Sequence, residues 1–368
     1  MIFDEAGTYQ IEYTATDECG NTTNVERTVI VEEPPTYRTV LYTDGTFIIN
    51  ESSRDEAANI QAHGVATNVY DPYDPNGNTN VKKYIFSQAS NRPWNGQVAS
   101  IKSVEIGSPI SPTSTAYWFY GFTTCTDIDL DKLNTSLVTY MHYMFGSCEA
   151  LTSLDVSGLN TSEVTNMSDM FYACKALTSL NLSGFDTGKV TNMNGMFSSC
   201  ESLTSLDLSS LNTSAVKNMG SMFYNCKALA SLNLSGIDTS EVTNMATMFR
   251  NTAFISLDLS DLDTSKATDI GSMFYDCTAL TVVDLSSFDT SIVTNTGNMF
   301  RGCSSLETIY ASALFIVSQV TSSNYMFSNC ESLVGGAGTV WASGNPKDKT
   351  YAHIDGGVGD PGYFTAKS

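Results

Sequence analysis

Long apolar runs are missing from this 368-residue chain, so it holds no candidate membrane-spanning helix of about 18 residues. The opening "MIFDEAGTYQ" has no basic segment followed by an apolar one and does not read as an export signal. Positive charge is scarce: 18 Lys and Arg stand against 39 Asp and Glu, a formal net charge of −21. Nucleic acid needs a basic footprint and anionic bilayers attract polybasic segments, so neither is an expected partner. Histidine is scarcer still. His63, His142 and His353 fall in three separate regions, with no Ser-His-Asp order, zinc-ligand spacing or phosphate loop in view. No enzyme and no cofactor are expected. The abundant carboxylates leave a carbohydrate-active enzyme as a third reading.

What is present starts with a hairpin pattern. Tyr9, Ile11 and Tyr13 alternate with polar residues, and Val25, Val29 and Val31 follow the turn "DECGN". One hairpin is marginal alone, so the other strands of its sheet are expected to precede residue 1. The stretch "GTYQIEYTATDECGNTTNVERTVIVEE" resembles the closing hairpin of bacterial immunoglobulin-like modules. That resemblance implies an exported surface protein and assigns residues 1–33 to such a module. Residues 34–37, within "EPPTY", read as a stiff linker.

Residues 38–100 read as an N-terminal capping region. "TVLYTDGTFIIN" predicts a hairpin turning at Asp44-Gly45, and "SSRDEAANIQAHG" predicts a short helix with Ala57, Ile60 and Ala62 inward. The loop "DPYDPNGNTN" offers Asp71, Asp74, Asn76, Asn78 and Asn80 as a weak calcium candidate. In the alternating run Asp74, Asn76 and Asn78, Gly77 precedes the third ligand instead of following it, which departs from a helix-loop-helix calcium loop. A plain Pro-Asn-Gly turn accounts for the same residues.

The remainder is a repeat. Phe145, Phe171, Phe197, Phe223, Phe249, Phe274, Phe300 and Phe327 are spaced 26, 26, 26, 26, 25, 26 and 27 residues apart. A fixed period in that range means a solenoid. Alternating runs such as "LDLS" begin at Leu154, Leu180, Leu206, Leu232, Leu257, Val283 and Ile309, and earlier at Val104 and Ile128, predicting nine strands. After each comes Asp or Asn, Thr and Ser, residues that favour helix starts. Val164, Met167, Met170, Phe171 and Cys174 then recur at steps of three or four, predicting a short helical return. The fold class expected is α+β: a leucine-rich-repeat-like solenoid of ~26-residue coils over 101–334. Each coil is a parallel strand, a turn and a short helical return, and residues 335–368 form a C-terminal cap.

The unit "LTSLDVSGLNTSEVTNMSDMFYAC" and the tail "GGAGTVWASGNPKDKTYAHIDGGVGDPGYFTAKS" resemble the BspA-like family of bacterial leucine-rich-repeat surface proteins. They are most like the repeat subfamily first catalogued in mycoplasma lipoproteins. The resemblance implies an extracellular repeat protein on a bacterial surface, often beside immunoglobulin-like modules, and some members are associated with adhesion to host proteins. Host or neighbouring-cell surface proteins or glycans are the partners expected. A spacer with no ligand of its own is the alternative.

Cys148, Cys174, Cys200, Cys226, Cys277, Cys303 and Cys330 share one column, and the expectation is buried, reduced thiols rather than bridges or a copper site. Two faces are candidates for binding. Asp129, Asp155, Asp207, Asp258 and Asp284 form an acidic column on the strands. Tyr172, Tyr224, Arg250, Tyr275 and Arg301 follow the Met-Phe pair on the returns and offer aromatic and guanidinium anchors. His142 reads as a tolerant surface position, because its column also accepts Ser, Asn, Gly and Ala. The sequons at Asn134, Asn160 and Asn212 sit where other coils carry Asp-Thr-Ser, so helix-start chemistry explains them without glycosylation.

Overall fold

The computed structural model describes residues 7–16, 22–31, 37–52, 63, 66–70 and 95–367. Strands β1 (Gly7–Thr16) and β2 (Thr22–Val31) pair antiparallel with Tyr9 opposite Val29 and Tyr13 opposite Val25. The second expected hairpin is also formed: β3 (Tyr37–Tyr42) and β4 (Thr46–Ser52) turn through Gly45, whose φ is 96°. The calcium candidate Asp71 to Asn80 and Cys19 lie outside the described residues, as does the expected helix apart from Ser52, which ends β4, and His63.

β4 continues into the solenoid. It pairs in parallel with β6 (Ser103–Ile106), which pairs with β7 (Asp127–Ile128), while β5 (Ala66–Tyr70) lies beyond β3. Further parallel pairs join β8 (Ser205–Asp207) to β9 (Ser231–Asn233) and β10 (Val282–Leu285) to β11 (Thr308–Ala311). The segments at Leu154, Leu180 and Leu257 do not pair as strands, so six of the nine expected strands are formed. A second ladder runs unbroken where the first is patchy. Parallel bridges link Tyr140, Asn166, Asn192, Asn218, Asn244, Asp269, Asn295 and Ser322 in turn.

The returns are not helical, and the backbone shows why. In a helix every residue has negative φ, yet all 15 non-glycine residues of positive φ in the described chain fall in two return columns. One column lies two residues before the repeat phenylalanine (Tyr143, Asp169, Ser221) and the other two residues after it (Ser147, Ala173, Asn225). Three overlapping turns fill the space: Met170 N–H donates to Met167 O, Tyr172 N–H to Asp169 O, and Cys174 N–H to Phe171 O. The first and third carry their positive-φ residue at the third position, as a type II turn requires. The N–H groups between them cross to the next coil: Asp169 to Asn194 O, Phe171 to Met196 O, Ala173 to Ser198 O. Left-handed backbone costs roughly 1–2 kcal/mol per non-glycine residue. An inter-coil hydrogen bond at most of these residues offsets it.

The turn chemistry repeats with the same logic. In Asp/Asn-Thr-Ser, the first side chain accepts the N–H two residues on, as Asn160 does from Ser162 and Asp238 from Ser240. This is the cap-like bond expected of the motif, made in a turn instead of a helix. The threonine is a staple. Thr135, Thr161, Thr187, Thr213, Thr239, Thr264 and Thr290 are all buried and donate 2.8–2.9 Å bonds to a carbonyl of the next coil.

Inside, nine phenylalanines from Phe119 to Phe327 stack ring on ring at 5.4–5.9 Å. Edge-on rings end the stack, Phe122 against Phe119 at one end and Tyr363 and Phe364 against Phe327 at the other. The cysteine column is buried and unbridged. Each of its seven thiols donates to the phenylalanine carbonyl of the preceding coil at 2.9–3.2 Å. Burial pushes the Cys174, Cys226 and Cys330 thiols up to about 12.

Beyond residue 334, β12 (Phe364–Ala366) pairs with β11 and covers its open edge. Asp355 organises this segment, accepting from the N–H groups of Ala337, Thr339, Gly357 and Gly362 and from the Thr339 hydroxyl. Desolvation acts to raise its carboxyl, but those bonds hold it well below the usual carboxylate range. Among the described residues no helix is long and apolar enough to cross a membrane.

Candidate functional site

The alternation that shapes the return also aims its side chains. Met170, Phe171 and Cys174 point inward and are fully buried, while Tyr172 stands half-buried on the outer edge. The carbonyls of Arg250, Tyr275 and Arg301 accept the N–H groups of Asn225, Asn251 and Asp276 from the coil before, which fixes each edge residue in register. The column just after the repeat phenylalanine therefore stands as a straight outer row.

In the C-terminal half this row forms a ladder. The Arg250 guanidinium lies 5.3 Å from the Tyr224 ring centroid and 4.1 Å from that of Tyr275. Arg301 lies 5.5 Å from Tyr275 and 5.3 Å from Tyr325. Four of the five edge residues expected from the sequence are thus brought together. Tyr325, the missed member, is 59% exposed and comes from the column two places before the phenylalanine, which also holds Tyr117 and Tyr143.

The fifth, Tyr172, belongs elsewhere. It meets Tyr143 edge-on at 6.2 Å, and Tyr143 stacks on Tyr117 at 5.0 Å with Tyr120 edge-on at 5.6 Å. Gly146 makes room, since a Cβ there would lie 2.8 Å from the Tyr120 ring. His142 is not the tolerant surface position expected. It is half-buried between Tyr117, Tyr140 and Tyr143, with Nδ1 buried and unpartnered, and desolvation lowers its pKa. Its column looked permissive because the other coils lack this aromatic surround. Beside it, burial raises the Asp169 carboxyl to about 6 while the Tyr143 hydroxyl, hydrogen-bonded to it, acts the other way. Gly195 leaves space for that carboxylate.

The acidic column is exposed at Asp129, Asp155, Asp207 and Asp258 and half-buried at Asp284. Every member accepts the N–H two residues on, as Asp155 does from Ser157 and Asp207 from Ser209. Hydrogen bonds to Ser157 lower the Asp155 pKa, and those to Ser209 and Ser260 lower Asp207 and Asp258. Asp284 shifts down too, desolvation being outweighed by Lys367 and Ser286. Asp129 and Asp155 line one shallow hollow with Asp127 and Asp131, and Asp258 and Asp284 line another with Lys367. The column is built as strand-end turns.

No curated protein matches the sequence. Among solved structures the chain is similar to a leucine-rich repeat protein from Eubacterium ventriosum, at 14% identity and a TM-score of 0.30, covering 85% of this chain and 97% of that one. It is also similar to a leucine rich cell surface protein from Faecalibacterium prausnitzii, at 16% identity and a TM-score of 0.27, covering 82% and 92%. Residues 3–31 match the family described as bacterial surface protein, Ig-like domain. Residues 113–235 and 227–340, more than half of the chain and nearly all of its coils, match a second family, and the chain belongs to it: Mycoplasma protein of unknown function, DUF285.

Proposed function

We propose that this chain is a non-catalytic, extracellular part of a bacterial surface protein that binds host or neighbouring-cell proteins or glycans along the outer edge of its returns. The observation that carries this reading is the ladder Tyr224, Arg250, Tyr275, Arg301 and Tyr325. The inward columns repeat one residue type, whereas this outer row varies and concentrates the side chains that dominate interfaces. A partner needs such variation to fix its register on a repeating scaffold. The match of residues 3–31 to a surface-protein module supports display outside the cell. The lowered carboxyls of Asp155, Asp207 and Asp258 make the strand column a poor source of a glycosidase acid, which needs its carboxyl raised.

The test is attachment of the intact chain to immobilised matrix proteins, glycans and cells. Replacing Tyr224, Arg250 and Tyr275 together by Ser should weaken attachment and leave the melting temperature within a few degrees. Changing Asp155, Asp207 and Asp258 to Asn is the matched control and should leave attachment intact. The reverse result moves the contact to the acidic column. The spacer reading is favoured by one observation, that turn and staple side chains are satisfied from coil to coil. An unmodified chain that attaches to nothing would establish the spacer in place of the binder.

A further inference from the structure

The ladder holds its charges in an unusual way. Lys175, Lys189, Lys227 and Lys266 each pair with a glutamate of the preceding coil. Arg250 and Arg301, on a chain of net charge −21, pair with no carboxylate among the described residues. Each is clamped instead between two tyrosine rings; Arg301 also donates one bond from Nη1 to Asn298 Oδ1 at 3.3 Å, and the remaining guanidinium donors are left for an outside group. That planar edge matches a carboxylate fork. The two guanidiniums stand two coils apart, about 10 Å at the spacing of paired strands, with a tyrosine before, between and after them.

The columns on either side are almost neutral. Ser221 and Thr247 hydroxyls hydrogen-bond to each other on one side, and the Asn251 amide donates to Asn225 on the other. Asp276 is the single carboxylate in those flanking positions of the ladder coils. Hydroxyls and amides suit sugar hydroxyls. The ladder offers little to a peptide added as a further strand. That mode needs an open strand edge, and the edge carbonyls of Arg250, Tyr275 and Arg301 are taken by the preceding coil. A densely sulfated polymer is disfavoured by only two cations on a strongly acidic chain.

Resting on the contact face proposed above, we infer that the ladder is a glycan site. It takes an extended, unsulfated polysaccharide in which carboxylate-bearing sugars alternate with neutral ones. Carboxylates meet Arg250 and Arg301, and neutral sugars meet the hydroxyls and amides of the flanking columns.

Calorimetric titration of the full chain with an octasaccharide of alternating glucuronate and N-acetylglucosamine tests this. The native chain should bind. Arg250→Gln with Arg301→Gln should weaken binding by about tenfold or more, and reducing the sugar carboxylates should weaken it as much. Arg250→Lys with Arg301→Lys should recover only part, since an ammonium cannot make the fork. Thermal melting checks that the variants are folded. No binding by the native chain, unchanged affinity in the double Gln variant, or equal binding of a poly-glutamate peptide would each overturn the glycan assignment. Attachment assays on the Tyr224, Arg250 and Tyr275 variant separate the two claims. If attachment needs the ladder but the octasaccharide does not bind, the ligand class falls and the contact face stands. If attachment ignores the ladder, both fall.

Discussion

Two columns one residue apart in the same return have opposite histories. The inner one holds phenylalanine in every coil from Phe119 to Phe327, each ring buried and stacked on the next. The outer one reads Tyr120, Gly146, Tyr172, Ser198, Tyr224, Arg250, Tyr275, Arg301 and Ser328. Stacking rewards sameness, because a ring packs best between two of its own kind at matched spacing. The outer row has no such neighbour on its solvent side, so it is free to differ. It has differed into two surfaces: a tyrosine-crowded one with His142 and Asp169, and an alternating one with arginine.

The contrast breaks most sharply at the inner column. Phe197→Ala should cost about 3–5 kcal/mol in a denaturant titration, because the stack above and below cannot close over the gap. A loss near zero would mean that inner and outer columns are misassigned. The staples come next. Thr213 both donates to Asp238 O and accepts from its N–H at 2.8 Å. Thr213→Val keeps the shape and strands both backbone groups, at an expected cost of about 1–3 kcal/mol by the same measurement.

At the outer row the effects are smaller and one depends on pH. The folded Asp169 carboxyl sits at about 6, above its ordinary 3.8. The folded chain therefore binds that proton more tightly than the unfolded chain. Stability from this group is full below about pH 4 and is lost as the pH rises through 6. Asp169→Asn should be more stable than the parent at pH 7.5 and equal to it at pH 4 in paired urea titrations; equal curves at both values would place the carboxylate in water. The smallest change is expected at Arg250. Loss of its two ring contacts in Arg250→Gln should cost about 0.5–1 kcal/mol, which separates a row kept for contact from a column kept for folding.

The sequence made the inner column plain, because a period of 26 and a single residue type leave one assignment open. Both hairpins were equally legible from alternation and from Asp44-Gly45. The return was not. Apolar steps of three and four are shared by a helix and by this run of turns, and what distinguishes them is φ at residues such as Tyr143, Thr247 and Ala173. Glycine would have announced those positions, but it fills only three of them in the coils: Gly121, Gly195 and Gly302. The patchy strands escaped notice for a similar reason, since the more regular ladder runs through polar Asn166, Asn192 and Asn218. At the site, Tyr325 and Asp169 were hidden two places before the phenylalanine, in a mixed column that also holds Tyr117, Tyr143, Gly195, Ser221, Thr247, Ser272 and Asn298.

The hydrogen bonds of the solenoid interior tie each coil to its immediate neighbours, and this makes length a free variable. The coil between Phe249 and Phe274 is one residue short, and Thr252 and Phe254 absorb the loss without breaking the stack. A gene that duplicates or deletes a whole unit would still encode matching faces at the new junction, and both ends would still find the coil they were shaped for. The length of the solenoid, and the number of edge positions it presents, can therefore be retuned by recombination alone, without a new packing problem at each step.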